Sequence, residues 1–264
     1  MPLPQPGYFE MRAAVKALSF NSPPGETDYY PGPMLGAEAL GARIVEEGSR
    51  YVRAAQALLA RLSPDDYLRY VLRYYETGLE RFGQRWAYAD IVTVLIGLAE
   101  ALSPEAYLEV GVRRGRSACA VGSVAPSCSM ALFDMWLKDY AGMDNPGPDL
   151  VRSELAAVGH RGPVEFVDGN SHLTLPRYLA AHPDAAFDIV TVDGDHTDQG
   201  AAEDLAQVLP RLKIGGAIVF DDIAHPLHPG LADIWRRMVE EDRRFSSYAF
   251  RAVGYGVGFA IRKY

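Results

Sequence analysis

With 264 residues, 48% of them hydrophobic, the chain can form one ordinary domain plus an elaboration, or two small ones, around a packed core. A formal net charge of −8 argues against a non-specific nucleic-acid binder. Two cysteines, Cys119 and Cys128, are too few for a disulfide framework. No apolar run reaches the roughly 18–20 residues of a membrane span, and the first residues lack the pattern of a signal peptide. The expectation is a soluble, cytoplasmic protein without nucleic-acid or membrane partners.

Residues 1–33 are rich in proline and glycine and read as an extended arm laid over another surface or over a second subunit. Over 36–62 the apolar residues recur at helical spacing. Ser63-Pro64-Asp65-Asp66 is a helix start, with Ser63 as cap and Pro64 at the first position. That helix is expected to run to Phe82 and to end at Gly83. Its tyrosines Tyr67, Tyr70, Tyr74 and Tyr75 read as packing, while Tyr29, Tyr30, Trp86 and Tyr88 are candidates for lining a pocket. A further helix is expected over 88–101. Residues 1–85 thus form an arm and a helical cap or oligomerisation region, and a homo-oligomer is expected.

From 86 to 264 strands and helices alternate. Strands are expected at 107–110, 130–134, 163–167, 187–192 and 216–220, with helices between them, the one after the fourth strand covering 197–212. Residues 246–252 and 256–261 read as an antiparallel hairpin. The expected fold class is α/β: a Rossmann-like, doubly wound, mostly parallel seven-stranded sheet with an antiparallel C-terminal hairpin and an N-terminal helical extension.

The turn after the first strand runs Glu109-Val110-Gly111-Val112-Arg113-Arg114-Gly115-Arg116-Ser117. Dinucleotide binders need G-x-G-x-x-G, and here Arg113 stands where the second glycine belongs. One carboxylate, two glycines and a helix start bearing Ser117 suit a zwitterionic amino-acid tail better than a pyrophosphate. Asp134, ending the second strand, is spaced to accept from two ribose hydroxyls. Ligands of such sheets bind beyond the strands' carboxyl ends. There stand Asp193-Gly194-Asp195-His196 and Asp221-Asp222, followed by His225 and His228. So many like charges call for a cation, with Mg²⁺ the natural choice and Mn²⁺ or Fe²⁺ open because of the histidines. Neighbouring strand residues face opposite ways, so Asp221 and Asp222 converge only if the chain turns between them.

These motifs resemble those of class I S-adenosylmethionine (SAM)-dependent methyltransferases. Asp193-Gly194-Asp195-His196 with Ile214-Gly215-Gly216 to Asp221-Asp222-Ile223 is similar to the metal-dependent small-molecule O-methyltransferases, nearest the group that methylates sugar hydroxyls, with the catechol enzymes more distant. The resemblance covers roughly residues 86–264. It implies SAM as cofactor, bound by Glu109, Gly111, Gly115, Ser117, Asp134, Gly169, Asn170, Ser171 and Asp193. Asn170 departs from the commoner aspartate, although its amide oxygen can still accept a hydrogen bond. The resemblance further implies a divalent metal on Asp193, Asp221 and Asp222. Asp195 is the base in the sugar enzymes; His196 stands where catechol enzymes have lysine and is the better base by its ordinary pKa. Both are carried as catalytic candidates, and the partner is a small-molecule acceptor with neighbouring oxygens. A metal-independent N- or C-methyltransferase and a non-catalytic SAM-binding module are the alternatives.

Overall fold

The computed structural model describes residues 35–139 and 144–264. The expected N-terminal arm, with Tyr29 and Tyr30, lies outside the described residues. The stretch with helical spacing over 36–62 forms two helices, α1 (Ala37–Glu46) and α2 (Gly48–Leu59). The break falls where α2 starts against the backbone of residues 86–88. A Cβ on Gly48 would sit 2.6 Å from the Trp86 carbonyl oxygen, so only glycine lets the two segments meet.

Helix α3 (Asp66–Phe82) is capped by Asp65, whose carboxylate accepts from the Leu68 N–H at 2.6 Å. The cap is therefore not Ser63, whose own N–H is committed to the Glu154 carboxylate at 3.0 Å. Gly83, at φ +59°, ends α3 as expected. Helix α4 (Ile91–Leu102) starts three residues later than expected because Asp90 and Thr93 form a reciprocal capping box.

The α/β part runs β1 (Ala106–Val110), α5 (Arg116–Val124), β2 (Ser129–Asp134), α6 (Pro148–Ala157), β3 (Val164–Asp168), α7 (Ser171–Ala181), β4 (Phe187–Val192), α8 (Asp198–Val208) and β5 (Leu212–Asp221). It closes with α9 (Gly230–Trp235), β6 (Phe245–Phe250) and β7 (Val257–Arg262). Helix α8 is shorter than expected. Pro210 has no N–H to continue the ladder, and a single tight turn over Leu209–Arg211 delivers the chain into a longer β5.

The seven strands lie in the order β3-β2-β1-β4-β5-β7-β6, parallel from β3 to β5, with β7 antiparallel to both its neighbours. Alternate strand residues feed two cores. Tyr107, Leu132, Ile189 and Val219 join α1–α5 on one face, and Leu108, Phe133, Val190 and Phe220 join α7–α9 on the other. Helices α1–α3 contribute Ile44, Tyr51, Leu59 and Leu68 to the first of these cores, so they pack as part of the α/β body. The sheet reverses its direction of winding between β1 and β4, and their carboxyl ends carry the expected site residues.

Candidate active site

The glycine turn is held from below and from both sides. Glu109 is fully buried, its carboxylate bonded by the Ser117 hydroxyl and lying 3.0 Å from the Tyr107 hydroxyl. Burial pushes this carboxyl up to about 8, against the hydrogen bonds of Ser117 and Tyr107. Glu109 thus braces the turn from beneath, and Ser117 rather than Glu109 lines the cavity above it. Gly111 has φ +90°, and a Cβ there would lie 2.1 Å from the Asp193 carbonyl oxygen. The end of β4 therefore packs directly on the turn, tied by the Asp193 N–H to the Val110 carbonyl at 2.8 Å. Gly115 (φ +72°) faces Val151 of α6 at 2.6 Å from its missing Cβ. Arg113 takes a positive φ of 52° without being glycine, and its N–H donates to Asp134 at 2.6 Å. The other Asp134 oxygen accepts from the Trp136 N–H at 2.6 Å.

Two cavities meet over this turn. The smaller, about 300 Å³, is lined by Asp134, Met135 and Leu137, by Gly169, Asn170 and Ser171, and by residues 193–196. The larger, about 670 Å³, contains Ser117, Asp193, Asp221 and Asp222 and is walled by tyrosines of α3 and the β6–β7 turn. Gly111, Arg113 and Asp193 belong to both. The expected adenine corner thus faces the small cavity, while Asn170 also spends its side-chain oxygen capping α7 through the His172 N–H at 2.9 Å.

The acids gather differently from the expected trio. Asp222 adopts φ +60°, and that turn brings Asp221 and Asp222 to one cavity. Among the described residues, the His, Cys, Asp and Glu ligand atoms that lie within 4.8 Å of one another are those of Asp193, His196 and Asp222. His196 Nε2 is 3.3 Å from Asp193 Oδ1, and its Nδ1 is 3.7 Å from Asp222 Oδ2. His196 thus occupies the place in that grouping expected for Asp221, which stays beside it. Burial, with Asp193 and Asp222 next to it, pushes the Asp221 carboxyl well up. Burial and Asp193 likewise push Asp222 up to about 6. The hydrogen bond to Asp193 raises the His196 imidazole above its ordinary value. The Asp193 and Asp222 carboxylates, with Asp221 beside them, form an oxygen donor set that fits a divalent ion such as Mg²⁺, with the His196 imidazole at its edge.

Asp195 points elsewhere. Its carboxylate accepts from the Thr197 N–H at 2.8 Å and lies 3.6 Å from His172 Nε2, lining the smaller cavity. His228 stacks edge-on 5.0 Å from His196, and His225 packs on Tyr255 at 4.0 Å. Neither joins the ligand group. Sequence reasoning missed the α3 tyrosines: Tyr67, Tyr70 and Tyr74 line the larger cavity. Their spacing of three and four residues, which puts them on one helix face, was the available signal.

A doubly wound sheet with this strand order, a glycine turn after β1 and acids at the ends of β4 and β5 defines the class I methyltransferase architecture. Residues 108–223 match the family model described as a methyltransferase domain. Solved structures share the fold. The O-methyltransferase TomG from Streptomyces achromogenes, involved in tomaymycin synthesis and bound to SAM, is 21% identical, with 76% of this chain and 91% of that one covered at a TM-score of 0.52. The calicheamicin methyltransferase CalS11 is 21% identical over 81% and 91% of the two chains, with a TM-score of 0.51. An O-methyltransferase from Bacillus cereus in complex with S-adenosylhomocysteine (SAH) is 18% identical over 76% and 92%, with a TM-score of 0.52. Comparison with curated protein sequences gave no match.

Proposed function

We propose that this enzyme transfers the methyl group of SAM to a hydroxyl of a small molecule with a neighbouring oxygen, a sugar or another vicinal diol, assisted by a divalent ion. The observation that carries the reading is the position of Asp193. It stands in the wall common to both cavities, hydrogen-bonded to His196 and grouped with Asp222. A ligand bound in the small cavity and one bound in the large cavity would therefore meet over the acids. SAM supplies an electrophilic methyl group on a sulfonium. A divalent ion supplies a Lewis acid that lowers the pKa of a hydroxyl and fixes its direction.

The chain's own residues do the rest. Asp134, Gly169, Asn170 and Ser171 hold the nucleoside end of the cofactor, and Gly111, Gly115 and Ser117 its amino-acid end, with Glu109 fixing Ser117 from below. Asp193 and Asp222 hold the ion, and Asp221 adds negative charge beside them. His196 donates from Nε2 to Asp193, which leaves Nδ1 as the atom that takes the acceptor's proton. Asp195 is the weaker candidate for that task because its carboxylate is engaged with Thr197 and faces the cofactor side. Leu59 of α2 and the tyrosine face of α3 wall the larger cavity, and the N-terminal helical region carries the contacts of the expected homo-oligomer. Among the described residues no helix is long and apolar enough to cross a membrane. The solved relatives described as O-methyltransferases bound to SAM or SAH support the cofactor and the hydroxyl acceptor.

A second reading has one observation in its favour. His196 already lies between Asp193 and Asp222, so a protonated imidazole can offset these acids without an ion. Chelation separates the two. Full-length protein stripped with EDTA and given labelled SAM with a panel of vicinal diols is expected to lose methyl transfer and to regain it with Mg²⁺ or Mn²⁺. An undiminished rate after stripping would leave the imidazole-only reading in force.

A further inference from the structure

A second gathering of acids lies against the smaller cavity, apart from Asp193, Asp221 and Asp222, and it surrounds a histidine. His172, in the first turn of α7, lines that cavity together with Asp195. Its Nδ1 stands 3.4 Å from Glu203 Oε2. Its Nε2 stands 3.6 Å from Asp195 Oδ2 and 3.8 Å from Asp204 Oδ1. Both ring nitrogens thus face carboxylates. A ring with N–H on both nitrogens serves all three acids, whereas a neutral ring turns a lone pair against one of them. Glu203 and Asp204 belong to α8, and Asp195 to the loop that joins β4 to α8.

Asp204 is the member that packing alone does not account for. It is only 1% exposed, and among the described residues neither of its carboxylate oxygens, nor His172 Nε2, has a hydrogen-bond partner. Burial pushes the Asp204 carboxyl up to about 6, against the pull of the nearby Ser171 hydroxyl, the His172 ring and the Asp195 N–H. A buried carboxylate in this condition lowers stability, and a small apolar side chain would avoid that cost. Its surroundings show what is gained in exchange. A Cβ on Gly194 would lie 3.4 Å from Asp204 Oδ2, and one on Gly200 would lie 2.0 Å from Asp195 Oδ2. The loop 193–196 therefore rests closely on α8, with Asp204 packed against it. That loop carries Asp193 and His196 to the acid group, while Ser171 and His172 belong to the corner facing the smaller cavity.

Resting on the methyltransferase reading above, we propose that Asp204 and His172 are positioning residues, which together hold the cofactor-binding corner (Asn170 to His172) in register with the loop that carries Asp193 and His196. Asp204 is not among the residues lining either cavity, so it acts only through His172 and the loop. The pair keeps a stability cost in the fold and returns a fixed distance between the cofactor's seat and the acids.

The test is a double-mutant cycle in the full-length protein, with SAH affinity read by calorimetry and melting temperature read on the same samples. Asp204→Ala and His172→Ala are each expected to weaken SAH by roughly 5- to 30-fold, the scale of coupling within one side-chain network. The double variant is expected to be weaker than either single by no more than about threefold, because the second change finds nothing left to break. Asp204→Ala is expected to melt no lower than the parent, since an unpartnered buried charge has gone. Asp204→Asn keeps an oxygen that accepts from His172 Nε2 and is expected to restore most of the SAH affinity lost in Asp204→Ala. Unchanged SAH affinity in both single variants overturns the proposal, and so do losses that multiply across the cycle. Affinity that merely tracks the melting temperature overturns it too, as the mark of a structural role. Should Asp204→Ala fail to fold, His172→Ala decides: its SAH affinity must fall while its melting temperature holds. If the parent protein does not bind SAH, the methyltransferase reading falls and takes this one with it.

Discussion

Two sets of aspartates in this molecule are treated in opposite ways. Asp65 and Asp188 are fully matched by donors. Burial works against the Asp65 carboxylate, yet the Leu68 N–H with Arg116 and Arg114 holds it below the usual carboxylate range. Asp188, near the start of β4, accepts from the N–H groups of Glu105 and Ala106 at 2.9 Å each and from Lys213 Nζ at 3.0 Å. At the carboxyl ends of β4 and β5, Asp193 and Asp222 share the His196 imidazole, and Asp221 lies buried beside those two acids. Paired acids fasten elements together; crowded acids raise one another's pKa and make the fold less stable than it could be. The difference in matching marks the functional end of the sheet more sharply than the presence of acids does.

Breaking the crowded set gives the largest expected effect. Asp222, at about 6, and Glu109, at about 8, hold protons more tightly in the fold than at their ordinary values of 3.8 and 4.5. Such groups contribute stability that is fully present below about pH 4 and is lost as pH rises through their folded values. The melting temperature of the EDTA-treated protein is therefore expected to fall between about pH 5 and pH 8.5. Mn²⁺ is expected to recover part of the loss. In Asp222→Asn the decline becomes shallower, saturable Mn²⁺ binding disappears and methyl transfer drops by about 100-fold, the scale of a misplaced reactant. Stability and activity thus move in opposite directions. A melting temperature that does not change with pH, or an Asp222→Asn protein that melts lower and still binds Mn²⁺, would show that the acids are not in conflict.

What was legible beforehand follows the same division. Strand positions, the glycine turn and the acids at the strand ends were readable because backbone periodicity and turn chemistry are local. The approach of Asp222 to His196 goes with a positive φ at Asp222, and a dihedral at one residue leaves no mark on hydrophobic pattern. Ser63-Pro64 is a good local helix start, yet Asp65 caps α3. Arg114 and Arg116, about fifty positions along the chain, decide the matter for Asp65. The tyrosines of α3 read as packing because a ring on an amphipathic helix has the same signature whether it meets a core or a cavity.

Breaking a matched aspartate has a smaller effect, on stability alone. In Asp188→Ala the Ala106 N–H, partly buried, and Lys213 both lose this acceptor, at a cost of about 1–3 kcal/mol. The site lies at the far end of β4, so methyl transfer per folded molecule is expected to stay unchanged. Denaturant titration alongside a rate assay reads both quantities. A rate that falls while stability holds would mean that the two ends of the strand are coupled.

The smallest effect is expected where an acid is matched at the surface. Arg50 grips Glu100 through Nη2 at 2.8 and 3.1 Å, linking α2 to α4, as good a geometry as any ion pair here. Both side chains remain in contact with water, at 51% and 35% exposure. Solvent screening and the entropy of holding two long side chains leave such pairs about 0.2–1 kcal/mol. Glu100→Gln should therefore lower stability by less than about 1 kcal/mol, and the difference should shrink as salt is raised. A larger, salt-independent loss would put this pair with Asp188, and exposure would then cease to explain why the molecule's ion pairs differ in worth.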